Sequence, residues 1–98
     1  KQKGQSSMEY SKVIISIIEA QENIIGPVAI ERATHVVGLA VDWTNKAVEI
    51  EGEPISVLTD LVGQYRELFG DISVEVCREA AMHSVGSGAL DKLPALLR

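Results

Sequence analysis

From residue 8 to residue 37, apolar residues return every three or four positions, and the run is broken once, by Gly26-Pro27. Tyr10, Val13, Ile14, Ile17, Ile18, Ile24 and Ile25 make one stripe, which predicts an amphipathic helix over 8–25. Ser6 and Glu9 have the spacing of a capping box at its start. Gln21 interrupts the stripe. Ile15 lies off it and widens the apolar face, which makes it a candidate for contact with a second neighbour. Gly26 supplies a left-handed residue after the helix. Pro27 suits the first turn of the next, where no amide donor is needed. Val28, Ile30, Ala33, Val36 and Val37 then predict a second helix over 27–37, and its small Ala29 and Ala33 allow another backbone to come close.

The period then shortens to two. Residues 38–43 read as a strand with Leu39, Val41 and Trp43 on one face, and 47–51 as its partner with Val48 and Ile50 over the same core. Between them 44–46 is a turn, with Asn45 expected in the left-handed region. Pro54 opens a third helix whose stripe is Val57, Leu58, Leu61, Val62, Tyr65, Leu68 and Phe69. Gly63 falls inside it, where a close neighbour is the expected reason. After Gly70, a fourth helix is predicted over 71–84, with Asp71 in its first turn and Ile72, Val76, Cys77, Ala80 and Ala81 inward. Gly86-Ser87-Gly88 is a break, and 89–97 can form a short last helix on Leu90, Leu93, Leu96 and Leu97.

The two glycine-broken stretches superimpose when Gly26 is laid on Gly70. Val13 then meets Val57, Ile14 Leu58, Ile17 Leu61, Ile18 Val62, Val28 Ile72, Ile30 Val74 and Ala33 Cys77, while Gln21 meets Tyr65. The expected fold is therefore α+β and mostly helical. Two glycine-linked helix pairs, duplicated from one unit, are separated by a β-hairpin and followed by a short C-terminal helix.

Length and charge narrow the picture. A chain of 98 residues with 46% hydrophobic content forms one domain, expected over 8–98. Residues 1–7 are polar and patternless and are expected as a disordered tail or expression remnant ahead of Met8. A net charge of −5 disfavours nucleic acid and anionic membranes as partners. The most apolar N-terminal stretch, 13–18, is too short to span a bilayer, so neither a signal peptide nor membrane insertion is expected, and a cytoplasmic location is. Cys77 is the single cysteine and is expected to be buried as a small hydrophobe.

No motif specifies a reaction, a metal or a cofactor, so no catalytic, cofactor-binding or metal residue is assigned. His35 and His83 lack a second ligand at metal spacing and read as surface histidines. Asp42, Glu49, Glu51 and Glu53 lack the spacing of a calcium loop and read as a solvated face. Glu31 and Glu75 are counterparts across the two stretches. They either pair within their own helices, as Glu75 can with Arg78, or meet at a pseudo-symmetric centre. The hairpin has two open edges and needs a cover, which predicts self-association through its edges or through the widened face of the first helix, the alternative being a monomer whose hairpin lies across the first and third helices. The interaction candidates are accordingly Ile15, Trp43, Glu31, Glu75, Leu93 and Leu97.

Asn23-Ile24-Ile25-Gly26-Pro27-Val28-Ala29 resembles the "YIGPIA" core of small helical modules appended to prokaryotic signalling proteins. Gly70-Asp71-Ile72-Ser73 resembles a diverged second version, and 89–97 the trailing helix of such modules. The hairpin departs from that pattern, as an insertion or as a roadblock-like hairpin. The resemblance implies a regulatory or interaction appendage and carries over no catalytic residue. The expected function is a non-catalytic interaction or regulatory domain with a protein partner and a homodimeric state. The alternative is a small-molecule sensor with a pocket between the helix pairs.

Overall fold

The computed structural model describes residues 2–85 and 97, with side chains from 10 to 84 and at 97. The order is α1 (Gln2–Ile25), α2 (Val28–Ala33), β1 (Leu39–Asp42), a 3-10 turn (Trp43–Asn45), β2 (Ala47–Ile50), α3 (Pro54–Phe69) and α4 (Asp71–Val85). The fold is thus α+β and mostly helical, as expected. The first helix begins earlier than residue 8, so Ser6 lies inside it and does not cap it. Residues 86–96, and with them Leu93 and most of the expected trailing helix, lie outside the described residues.

Both glycine corners use one hydrogen-bonding scheme. Gly26 has φ +76° and Gly70 φ +77°, a region open to glycine and costly for other residues. Gly26 N–H donates to the Glu22 carbonyl at 2.8 Å and Gly70 N–H to the Arg66 carbonyl at 2.7 Å, which closes each preceding helix. The next helix then starts from the glycine itself. Ala29 N–H donates to the Gly26 carbonyl at 3.0 Å, and Ser73 N–H to the Gly70 carbonyl at 3.1 Å.

The second helix is shorter than its apolar period predicts. Thr34 Oγ1 donates back to the Glu31 carbonyl at 2.6 Å, and the amides of His35, Val36 and Leu39 each bond three residues back. The tighter winding unrolls the helix toward β1, leaving Val36 buried and Val37 86% exposed. Leu39 pairs with Ile50 and Val41 with Val48 in the antiparallel hairpin, so these four share one face. That face packs against the core beside α1, while Ala40, Asp42, Ala47 and Glu49 face solvent. The cover sought for the hairpin therefore comes from α1 of the same chain. Trp43 leaves the strand for the 3-10 turn, and Lys46, not Asn45, is left-handed, at φ +52°. Asn45 Nδ2 already donates to Asp42 Oδ2 at 2.7 Å, which holds Asn45 inside the turn and passes the reversal to the next residue.

The core joins Val13, Ile14, Ile17 and Ile18 of α1 to Val57, Leu58, Leu61, Val62 and Tyr65 of α3, with Ala29 and Ala33 of α2, Cys77 and Ala81 of α4, and Leu97. Among the described residues nothing lies within 4 Å of where a Gly63 Cβ would stand, so no described element crosses there to account for it.

Candidate functional site

Two buried hydrogen bonds cross the middle of the domain. Tyr65 Oη donates to the Ala29 carbonyl at 2.6 Å, tying α3 to α2. Gln21 Nε2 donates to the Ser73 carbonyl at 3.2 Å, tying α1 to α4. Donor and acceptor of one bond are the counterparts of donor and acceptor of the other when Gly26 is laid on Gly70. Gln21 Nε2 also reaches Cys77 Sγ at 3.3 Å. Burial raises the Tyr65 phenol well above its ordinary range, and Cys77 adds to the effect. Burial pushes the Cys77 thiol up to about 11, with the Gln21 bond acting the other way. Both groups are therefore held neutral, and Cys77 is a buried small hydrophobe as expected.

The two sides of this arrangement are filled differently. On one side the Tyr65 ring lies inside the core. On the other, the shorter Gln21 side chain lies at the floor of an open groove of about 360 Å³. Ile24 and Ile25 from the end of α1, Phe69 from the end of α3, and Ile72, Ser73 and Val76 from the start of α4 complete its lining. Ile24, Phe69 and Ile72 fall on stripes predicted to be buried, yet they are 62%, 52% and 68% exposed. Each sits within two residues of a glycine corner, where the helix ends before a neighbour can cover it. Gln21, expected only as an interruption, is 1% exposed.

The other candidates are engaged locally. Glu75 pairs with Arg78 three residues on, the intrahelical reading, and Glu31 is exposed on α2. The two do not form a shared centre among the described contacts. Arg32 Nη1 instead donates to Gln64 Oε1 at 3.4 Å. Trp43 is half-buried; its Nε1–H donates to Glu22 Oε1 at 3.2 Å, and Lys46 Nζ lies 4.2 Å from its ring centroid. Lys46 also approaches Glu19 at 3.4 Å, so this cluster fastens the hairpin turn to α1. Ile15 is half-buried. Leu97 is fully buried in the core and is spent on internal packing, which removes it as a surface contact.

His35 and His83 are exposed. Among the described residues no group of three or more His, Cys, Asp or Glu side chains is placed to hold a metal ion. Among the described residues no helix is long and apolar enough to cross a membrane. Comparison with family models, with curated proteins and with solved structures finds no match to this chain.

Proposed function

We propose that this chain is a non-catalytic interaction domain that receives a protein partner in the groove between the end of α1 and the start of α4. The observation that carries the reading is the exposure of Ile24, Phe69 and Ile72 together around one largely apolar groove. The groove's polar lining is Gln21 and Ser73, and the Gln21 amide is already committed to the Ser73 carbonyl. That favours apolar contact over recognition of a polar metabolite. The setting, a cytoplasmic signalling protein of a prokaryote, rests on the resemblance of the 23–29 stretch to appended helical modules.

The domain also reads as two copies of one helix–glycine–helix unit about a rough two-fold axis. The matched corner hydrogen bonds and the crossed Tyr65–Ala29 and Gln21–Ser73 pairs support that reading. So does the common burial of Val13 and Val57, Ile14 and Leu58, Ile17 and Leu61, Ile18 and Val62, and Ala33 and Cys77. In that view the groove is the place where one copy kept a tyrosine and the other a glutamine.

A double variant tests the interaction. Phe69→Ser with Ile72→Ser removes exposed apolar atoms and leaves the core intact. It is expected to melt within a few degrees of the parent and to lose proteins that the parent retains from native lysate. A metabolite library screened by thermal shift runs beside it. A reproducible metabolite shift with no protein retained would favour the sensor reading and overturn this one. Homodimerisation by hairpin edge pairing is a separate proposal, since among the described residues no third strand pairs with β1 or β2.

A further inference from the structure

We infer that the chain pairs with a second copy of itself along the outer edge of β1, with Ala40 of one copy against Ala40 of the other at the two-fold axis. This rests on the hairpin-edge proposal above and names the strand and the register. The hairpin's own hydrogen bonds fix which backbone groups are left over. Glu51 N–H donates to the Gly38 carbonyl at 2.7 Å, and the register that sets Leu39 against Ile50 sets Gly38 against Glu51. Opposite residues in an antiparallel ladder alternate between hydrogen-bonded and non-hydrogen-bonded pairs. The bonded pairs are therefore Gly38–Glu51, Ala40–Glu49 and Asp42–Ala47, whose amides and carbonyls point inward. Those of Leu39 and Val41 point out from β1, and those of Val48 and Ile50 point out from β2. The Leu39 amide is taken by the Val36 carbonyl at 3.3 Å, so β1 offers the Leu39 carbonyl and both groups of Val41.

Charge decides between the strands. The outer face of β2 carries Glu49, and Glu51 follows on the same face. Both are exposed, and no salt bridge among the described residues reaches either. Two copies of β2 joined through both Val48 and Ile50 set Glu49 directly against Glu49 of the second copy. Centring on Ile50 sets Glu49 against Glu51 instead. Centring on Val48 leaves one bonded pair, because Lys46, which would face Ile50, is left-handed. Like charges directly opposite destabilise a sheet, and charged residues of this kind keep an edge unpaired. The outer face of β1 has no such guard. It carries Ala40, and Asp42 whose carboxylate already accepts from Asn45 Nδ2 at 2.7 Å. When Leu39 of one copy faces Val41 of the other, Ala40 meets Ala40 and each Val41 amide donates to a Leu39 carbonyl. The two Asp42 residues then lie four positions apart along the strands, roughly 13 Å. Centring on Val41 would bring them within two. Of the two strands β2 is in closer contact with α1, so β1 is the edge farther from that helix.

The test reads the register by cysteine pairing. A non-hydrogen-bonded antiparallel pair holds its Cα atoms about 4.5 Å apart, within disulfide range. Ala40→Cys and Glu49→Cys both change exposed positions, and the native Cys77 is buried. The full chain carrying each substitution is oxidised by copper–phenanthroline at high micromolar concentration and followed by non-reducing electrophoresis, beside light scattering of the parent. The parent is expected to be a dimer, and Ala40→Cys to cross-link at least tenfold faster than Glu49→Cys. Ala40→Lys sets two ammonium groups against each other at the axis, while within its own hairpin the lysine faces Glu49. It should weaken self-association at least tenfold and melt within a few degrees of the parent. Faster cross-linking through Glu49→Cys would overturn the choice of β1 and leave hairpin-edge pairing standing. A dimer in which neither cysteine cross-links would overturn edge pairing as a whole, and so would a parent that stays monomeric. The groove reading is separate from all of these outcomes.

Discussion

Tyr65→Phe isolates one buried hydrogen bond and carries a pH signature that packing alone cannot produce. The substitution keeps the ring in the core and deletes the hydroxyl that donates to the Ala29 carbonyl at 2.6 Å. A typical buried bond contributes about 1 kcal/mol net. The value here should lie in the upper half of the usual range, about 1–1.5 kcal/mol, because α2 has six residues and depends on such tethers. For a domain of this size each kcal/mol lowers the melting temperature by about 4–8 °C. The sign of the pH dependence follows from the raised phenol pKa. Below the unfolded-state value of about 10, both states carry the proton and the full stability is present. As pH rises from there toward the folded-state value, only the unfolded chain ionises, and stability falls by about 1.4 kcal/mol per pH unit. Phenylalanine has no such loss. The parent should therefore be more stable at pH 7, and the two proteins should draw level near pH 11. Cys77, whose thiol is also pushed upward by burial, is common to both and largely cancels in the difference. Urea denaturation followed by circular dichroism between pH 7 and 11 measures this. A difference that is zero at pH 7, or that stays constant to pH 11, would refute the reasoning.

Gly63→Ala should stabilise by about 0.5–1 kcal/mol, since alanine favours the helix and no atom of the described residues outside the helix's own backbone lies within 4 Å of the new Cβ; thermal melting checks it. Cys77 should resist iodoacetamide at pH 8 in the native chain and react in urea, because its thiol is buried and shifted up to about 11; mass spectrometry over time gives the ratio. Trp43→Phe removes the indole donor to Glu22 and should cost about 0.5–1 kcal/mol in urea titration, an exposed-side contribution well below that of Tyr65.

The interior of the domain was readable in the spacing of its apolar residues. Val13, Ile14, Ile17 and Ile18, and Val57, Leu58, Leu61 and Val62, all lie on predicted stripes and are all buried. The groove was not readable, because periodicity identifies a face and not whether a neighbour reaches it. Ile24, Phe69 and Ile72 keep the period while the chain around them turns at a glycine. Gln21 gave no local sign of burial, since its partner Ser73 lies 52 residues away; its one signal was alignment with Tyr65. The hairpin turn went to Lys46 because a side-chain bond between Asn45 and Asp42 outweighed residue preference. The end of α2 was likewise set by a Thr34 bond and by the demand that Leu39 be buried, neither of which a helical period encodes.

The crossed bonds also bear on how the chain folds as it is made. Tyr65 closes on α2 and Gln21 closes on α4, so neither half contains the acceptor for its own buried donor. A nascent chain that has emerged only through α2 exposes the face of α1 that α4 will cover, with the Gln21 amide lacking Ser73. Such an intermediate gains little from early local structure and must await contacts of long sequence separation. Once these form, α1 and α4, the first and last of the long helices, are locked to each other. Their amides should then exchange with solvent through one global opening and not through separate unfolding of the two halves.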